Sequence, residues 1–485
     1  MALGGRFYTS LTLNSFQLTT DRHFLRPALA LHKLNSKRYS RGNVQDVNIH
    51  HSRLSPMEVT SVLRANEFSH EFSSGPVKSY DSNQLASNNP MEDMRAEAKI
   101  MLIDGLLMGV FDGHAGAACA QVLAKRLLKY VAVALLPQNE LKEYAKALEE
   151  NRKVHILETY NDRHEFINEL KEIYTQSFKK YVLDMANQER VKEYGTKEAL
   201  ESSFLRLDDD ISREALDNSN TKLLGVCMSG AVACLSHISK SHLHVANVGD
   251  CQAVLGVLND GKVWSAKKMS IEHNSENPNE LDRLFKDHPD EESYTLLEKE
   301  RLFGQLIPLR AFGDFRYKWS KDILEKKIVP LYGPAVIPPR YNTPPYLTAK
   351  PEIMYHRLTP KDKFLVIASD GLWDLLSPLQ VVRLVGEHMS GKAALTPLRL
   401  PNNTKLKDIH KILVQRREGL NKVPIDKNAA THLFRNALGG TDYGIEHSRI
   451  SQLLSLSQDI VRLFRDDITV TVIYFDSDFI SHCPM

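Results

Sequence analysis

Val110-Phe111-Asp112-Gly113-His114-Ala115-Gly116 is the stretch on which the reading of this chain turns. The apolar run from Leu106 to Phe111 stops abruptly at an acid, a glycine and a histidine. That is the pattern of a buried strand that delivers a carboxylate to its end and then turns. Just upstream, Ile100 to Ile103 is a second apolar run, and Asp104-Gly105 is a tight-turn pair, so the two runs read as a hairpin. Downstream, Ala115 to Leu136 has helical apolar spacing and ends at Pro137. Strand character returns at Cys227 to His237, His242 to Val248 and Gln252 to Leu258. Asn259-Asp260-Gly261 turns the chain into Lys262 to Lys267, and Lys363 to Ser369 and Ile468 to Phe475 follow much later. Strands come as neighbouring hairpins with helices grouped between them, not as alternating β-α-β units. The expected class is therefore α+β: two antiparallel sheets face to face, with helices on the outer faces, a four-layer αββα sandwich.

Between these elements, Ser55, Pro56 and Glu58 carry a helix-start signature. Residues 73–90 are polar and rich in Ser, Asn, Gly and Pro, and read as loop. Residues 138–222 have helical charge and apolar spacing, so they read as a helical insert. Residues 330–351 hold seven prolines and read as an irregular extended loop, and 390–447 read as a polar variable insert with some helix. The expected divisions are a disordered leader at 1–45, a further N-terminal leader with a short helix at 46–72, a catalytic domain at 73–477 and a tail at 478–485.

Lys plus Arg number 62 and Asp plus Glu 60, a net charge of +2, which argues against a dedicated nucleic-acid binder. The five cysteines, Cys119, Cys227, Cys234, Cys251 and Cys483, are unpatterned. They exclude a disulfide scaffold or a Cys-rich zinc module and fit a reducing compartment. No apolar run approaches the roughly 20 residues that cross a bilayer, so an integral membrane protein is not expected. Residues 1–45 set seven Lys and Arg against the single acid Asp21, with scattered Ser, Thr and Leu. That is the composition of a mitochondrial transit peptide, with cleavage expected near Arg38 to Arg41.

Four short segments each place an Asp where a strand ends or a turn begins: Glu92-Asp93, Asp112-Gly113-His114, Asp370-Gly371-Leu372-Trp373-Asp374 and Arg465-Asp466-Asp467. Strand-end carboxylates that converge repel one another unless a cation lies between them. All-oxygen donors select a hard ion, Mg²⁺ or Mn²⁺, over zinc. Gly113 permits close approach of its backbone carbonyl to such an ion. Asp208-Asp209-Asp210 lacks the glycine and spacing of a calcium loop and reads as a solvated helix face. Cys251, beside an acid, reads as inert. Trp373, between two acids, reads as core packing.

With Ser229-Gly230, Gly249-Asp250 and Arg310-Ala311-Phe312-Gly313-Asp314 in the intervening slots, the ordered set resembles the type 2C metal-dependent serine/threonine protein phosphatases over about residues 73 to 476. The resemblance implies two Mg²⁺ or Mn²⁺ ions at one edge of the sandwich. Asp112 would bridge them, Asp370 and Asp466 would complete one shell, and the Gly113 carbonyl would serve the other. Glu92 would act through water and Asp93 from behind. His114 would be the general acid for the leaving serine oxygen. Asp250 and Asp374 would hold a weaker third ion. The family's phosphate-gripping Arg is Asn88 here, a weak phosphate contact, and the usual Ser-Arg after Gly-Asp is Cys251-Gln252, which puts the third ion in doubt. Val232 stands where the family has Thr.

Arg64-Ala65-Asn66-Glu67-Phe68, Asp81 to Leu85, Thr343 to Ala349 and Asn428 to Leu433 are similar to the mitochondrial pyruvate dehydrogenase phosphatase branch, which shares the Asn at position 88. That branch implies a phosphoserine substrate on the dehydrogenase component of the pyruvate dehydrogenase complex in the mitochondrial matrix. It also implies docking on a lipoyl domain of the acyltransferase core, Ca²⁺ at that contact in some members, and a regulatory subunit. Two other readings compete: the same enzyme acting on another matrix phosphoprotein, and an inactive scaffold. The scaffold reading conflicts with the intact Asp112, Asp370 and Asp466.

Overall fold

In the computed structural model, residues 53–162, 166–188, 194–218, 220–395, 398, 400 and 404–483 are described. The expected leader at 1–45 and its cleavage site lie outside them. The strands run in chain order as β1 (Phe68–Glu71), β2 (Val77–Leu85), β3 (Met94–Ile100), β4 (Leu106–His114), β5 (Leu157–Tyr160), β6 (Gly230–Ser239), β7 (His242–Val248), β8 (Gln252–Leu258) and β9 (Trp264–Lys268). Three two-residue pieces follow, β10 (Leu297–Glu298), β11 (Arg301–Leu302) and β12 (Phe312–Gly313), then β13 (Glu352–Arg357), β14 (Asp362–Ala368) and β15 (Ile468–Phe475).

One sheet has the order β1-β2-β15-β14-β8-β9 and the other β13-β7-β6-β4-β3-β5, with β12 added on β6. The pairings are antiparallel. Side chains alternate across each strand, and β4 shows why its apolar run is continuous. Leu106, Met108 and Val110 point between the sheets, where they meet Leu365, Ile367 and Ile473. Leu107 and Phe111 point the other way, to the helices. Both faces of β4 are covered, so no polar residue appears until Asp112. Each such buried side chain contributes about 1.5–3 kcal/mol.

The helices Ala118–Leu135, Asn168–Asn187, Thr196–Asp217 and Thr221–Met228 cover one sheet. The helices Pro56–Arg64, Pro378–Met389, Ala429–Gly439 and His447–Leu454 cover the other. This is the expected αββα sandwich.

Several readings of the chain's organisation need correction. Residues 73–90 contain β2, an inner strand between β1 and β15. It was illegible because its buried positions include polar residues. Asn83, fully buried, donates through Nδ2 to Leu63 O and Thr431 Oγ1, both at 2.7 Å. The described part of the 46–72 segment, residues 53–72, belongs to the fold. Ser55 caps the Pro56–Arg64 helix in a capping box with Glu58, Val59 and Leu63 are buried, and β1 pairs with β2. The 138–222 insert is not purely helical, since β5 extends the sheet beside β3. At the end, Ser477–Ser481 is helical and Ile480 is buried, so 478–485 begins as packed structure.

Candidate active site

The expected acids come from both sheets and meet at one end of the sandwich. Asp112 ends β4, and the Asp370–Trp373 turn helix follows β14. Asp466 lies two residues before β15, Asp250 lies in the β7–β8 turn, and Glu92 and Asp93 immediately precede β3. Their electrostatics show the convergence. Burial first, then the charges of Asp93, Asp370, Asp250 and Asp466, hold the Asp112 carboxyl well above the usual carboxylate range. Asp370 is raised in the same way by burial and then by Asp250, Asp466, Asp374 and Asp93. Burial pushes Asp93 up to about 7 against its hydrogen bond from Ser369, with Asp467 and Asp466 adding to the rise. Asp250 is pushed up to about 6, again by burial first, with Glu272 and Asp374 adding to it. Asp374, exposed at the rim, is raised by burial, Asp466 and Glu272. Glu272 was missed because a lone loop acid carries no sequence signal.

Such a cluster fits hard divalent cations. The donors are all carboxylate oxygens, and each raises its neighbours for want of positive charge. Among the described residues no three His, Cys, Asp or Glu side chains close on one point as a ready-made cage. Carbonyl and water oxygens would have to complete the shells, which suits Mg²⁺, an ion that keeps several waters. Gly113 is packed for such a role: a Cβ there would lie 2.5 Å from Glu92 O.

His114 does not stand alone. Its Nε2 is 2.6 Å from Asp314 Oδ2. Burial pulls the imidazole down, but Asp314, joined by Asp250 and Glu92, outweighs it and the net shift is upward. Asp314 sits in the left-handed region at φ 49° directly after β12. The Arg310 to Asp314 motif was visible in the sequence, but its service to His114 was not. Gly230 explains Ser229-Gly230: a Cβ there would lie 2.1 Å from His114 Nε2 and 2.2 Å from Asp314 Oδ2. Gly249, at φ +94°, would place a Cβ 2.1 Å from Val232 Cγ1, so Val232 fills the space under the Gly249-Asp250 turn.

The Arg465-Asp466-Asp467 segment divides its labour. Asp467, buried, accepts from Ser87 N, Asn88 N and Glu92 N, and from Asn88 Nδ2 at 3.0 Å. It pins the 87–92 loop, while Asp466 remains half open on the cluster. The Asn88 amide is thereby spent on Asp467 and, at 3.5 Å, Asp466. A phosphate contact from Asn88 would have to compete with these acceptors. Glu92 also has protein partners: Oε1 accepts Gly116 N at 2.6 Å, and Oε2 meets Arg462 Nη1 at 2.9 Å.

Asp208 and Asp210 are buried, contrary to the solvated-face reading; only Asp209 of the three is exposed. Asp208 accepts Gly313 N at 3.0 Å and Lys318 Nζ at 2.7 Å. Asp210 pairs with Arg206 and Arg213 and accepts Tyr130 OH. Cys251 is buried between the sheets, and burial, with Asp112 next, raises its thiol well above the ordinary value. Trp373 packs beside the second helical layer and donates Nε1 to Ala368 O at 3.0 Å.

A paired-sheet sandwich with a strand-end carboxylate cluster and a carboxylate-held histidine defines a class of metal-dependent phosphatases, and comparison with known proteins agrees. The protein phosphatase 2C family matches residues 157–410. The human protein named [Pyruvate dehydrogenase [acetyl-transferring]]-phosphatase 1, mitochondrial, is 43% identical over 451 residues, covering 87% of this chain and 83% of that one. Its human namesake, phosphatase 2, is 41% identical over 457 residues, covering 89% and 85%. A protein phosphatase 2C homologue of Schizosaccharomyces pombe is 35% identical over 412 residues, covering 82% and 80%. The chain belongs to the protein phosphatase 2C family and is a protein serine/threonine phosphatase.

Proposed function

We propose that this phosphatase uses Mg²⁺ or Mn²⁺ to dephosphorylate phosphoserine on the dehydrogenase component of the pyruvate dehydrogenase complex, and so reactivates it in the mitochondrial matrix. The observation that carries the chemistry is the half-buried carboxylate cluster beside the His114–Asp314 pair. The substrate rests on the relatives that bear that name.

The residues that would hold the two ions are Asp112, Asp370 and Asp466 with the Gly113 carbonyl. Glu92 would reach them through water, and Asp93 would support them from behind. Asp250 and Asp374 would hold a weaker third ion, beside Glu272. When bound, such ions neutralise phosphate oxygens and acidify water. The remaining chemistry falls to side chains. Asp314 holds His114 at Nε2, which leaves Nδ1 as the nitrogen that gives its proton to the departing serine oxygen. Asp314 also favours the charged imidazolium, the form that has a proton to give. Asp467 fixes the 87–92 loop against the cluster.

Residues 1–45 would direct the chain to the matrix and be removed there. The 138–222 and 390–447 inserts would provide docking, with a lipoyl domain of the acyltransferase core, Ca²⁺ at the contact and a regulatory subunit as partners. The decisive assay is release of phosphate from purified phosphorylated pyruvate dehydrogenase complex, with and without Mg²⁺ and Ca²⁺. Release that needs Mg²⁺ and is faster on the intact complex than on a generic phosphoserine peptide is expected. Equal rates on both would remove the substrate assignment while leaving the phosphatase.

A further inference from the structure

The site lacks a phosphate-gripping cation where one is expected, since position 88 is Asn and its amide is already occupied. Two arginines border the cluster. Arg465 is committed: Nη2 donates to Ala86 O at 2.7 Å and Nη1 to Asp466 O at 3.5 Å, and its Nε is buried. Arg462 is different. It follows the Gln458–Val461 helix, its side chain is 49% exposed, and it touches the cluster through one nitrogen only. Nη1 lies 2.9 Å from Glu92 Oε2 and 3.5 Å from Asp466 Oδ1. Its Nε and Nη2 make no hydrogen bond to the described residues.

We propose that Arg462 is the phosphate-binding residue of this enzyme, taking over from the loop position the charge that Asn88 cannot supply. The geometry suits the task. Glu92 and Asp466 anchor one corner of the guanidinium beside the carboxylates, while Nε and Nη2, on a half-exposed side chain, keep their protons free of hydrogen bonds to the described residues. A guanidinium held this way can present two parallel N–H groups to two phosphate oxygens, which an amide or an ammonium cannot. The ligand class is a phosphate monoester dianion, and the product, inorganic phosphate, shares the contact. The inference deepens the phosphatase reading and rests on it for turnover, but phosphate binding tests it directly.

The test compares wild type with Arg462→Gln and Arg462→Lys, all loaded with Mn²⁺. Calorimetry with inorganic phosphate should show binding about tenfold weaker in Arg462→Gln, the low end for a half-exposed charge-assisted bond. Arg462→Lys should recover part of the loss. With a phosphoserine peptide, KM should rise by a similar factor, and most of the loss in kcat/KM should lie in KM. Unchanged phosphate affinity in Arg462→Gln would overturn the assignment whether or not the enzyme turns over. So would a defect seen only as a higher Mn²⁺ requirement, because that would make Arg462 a support for Glu92 and Asp466. Failure of the wild type to release phosphate from any phosphoserine substrate would instead count against the phosphatase reading, and the calorimetric comparison would still decide the role of Arg462.

Discussion

Gly230→Ala probes the catalytic pair without replacing either member. The added Cβ would stand 2.1 Å from His114 Nε2 and 2.2 Å from Asp314 Oδ2. Ordinary contact begins near 3.4 Å, so the pair must give way by about 1 Å or more. A misplacement of about 1 Å in a reacting group costs about a hundredfold in rate. The loss should depend on the leaving group. A phosphoserine peptide departs as a basic alkoxide and needs the His114 proton, so kcat should fall about a hundredfold. An aryl phosphate departs without protonation and should lose less than about tenfold. Gly230 pairs with His114 and Gly313 at the ends of β4 and β12, so overpacking would also cost about 1–3 kcal/mol of stability. A thermal melt separates that cost from a catalytic one, and Mn²⁺ calorimetry shows whether the carboxylates still bind. Equal losses on both substrates in a folded, metal-binding variant would refute the acid role of His114. Full activity would mean that the pair can relax without consequence, and the geometric account of Gly230 would fail.

Asp112→Asn should abolish turnover, because a strand-end carboxylate that faces Asp93, Asp370, Asp250 and Asp466 is lost, and wild-type-like turnover within tenfold would remove it from the metal shell. In metal-free protein, stability should fall as pH rises from about 4 to about 7. Asp93 and Asp250 keep their protons in the folded state up to about 7 and about 6, while the unfolded chain has already released them, so the native state binds more protons across that window. A melting temperature that climbs over the same window, or one that added Mg²⁺ at pH 8 fails to raise, would contradict this. Asp467→Ala should destabilise the protein by about 2–3 kcal/mol by stranding Ser87 N, Asn88 N and Glu92 N, with chemical denaturation as the check.

The sequence made the layers and the acids legible, and physics explains where it stopped. β4 and β14 were visible because both faces are apolar, and β15 because branched and aromatic residues fill it, whereas β2 was hidden by Ser82 and Asn83, buried polar residues of which Asn83 bonds to Thr431 far along the chain. Asp112, Asp370 and Asp466 stood out because a strand-end Asp has few other uses in such numbers. Asp467 and Arg462 stood beside them unmarked. Their roles depend on what folds against them, and a bond from residue 467 to residue 87 leaves no trace in spacing. Asp208 was misread for the same reason: an acidic triplet in a helix is ordinarily wet, and only the tertiary fold places Gly313 N and Lys318 on its inner side.

That buried acid links the helical insert to the chemistry. The Thr196–Asp217 helix carries Asp208, which fixes Gly313 N; Gly313 precedes Asp314, and Asp314 holds His114. A Cβ on Gly313 would lie 2.3 Å from Ser229 O, so this segment has little freedom to settle elsewhere. The same helix is tied to the Ala118–Leu135 helix through the buried Arg126–Glu214 pair, and that helix packs on β4, which presents Asp112. Movement of the insert therefore has a short covalent and hydrogen-bonded route to the proton donor and a packed route to the carboxylate. A partner that docks on the insert would act on catalysis by shifting Asp208. On this argument Asp208→Asn, which keeps the acceptor for Gly313 N but weakens the pair with Lys318, should lower turnover less than Asp208→Ala. Docking-dependent activation should be lost before basal activity.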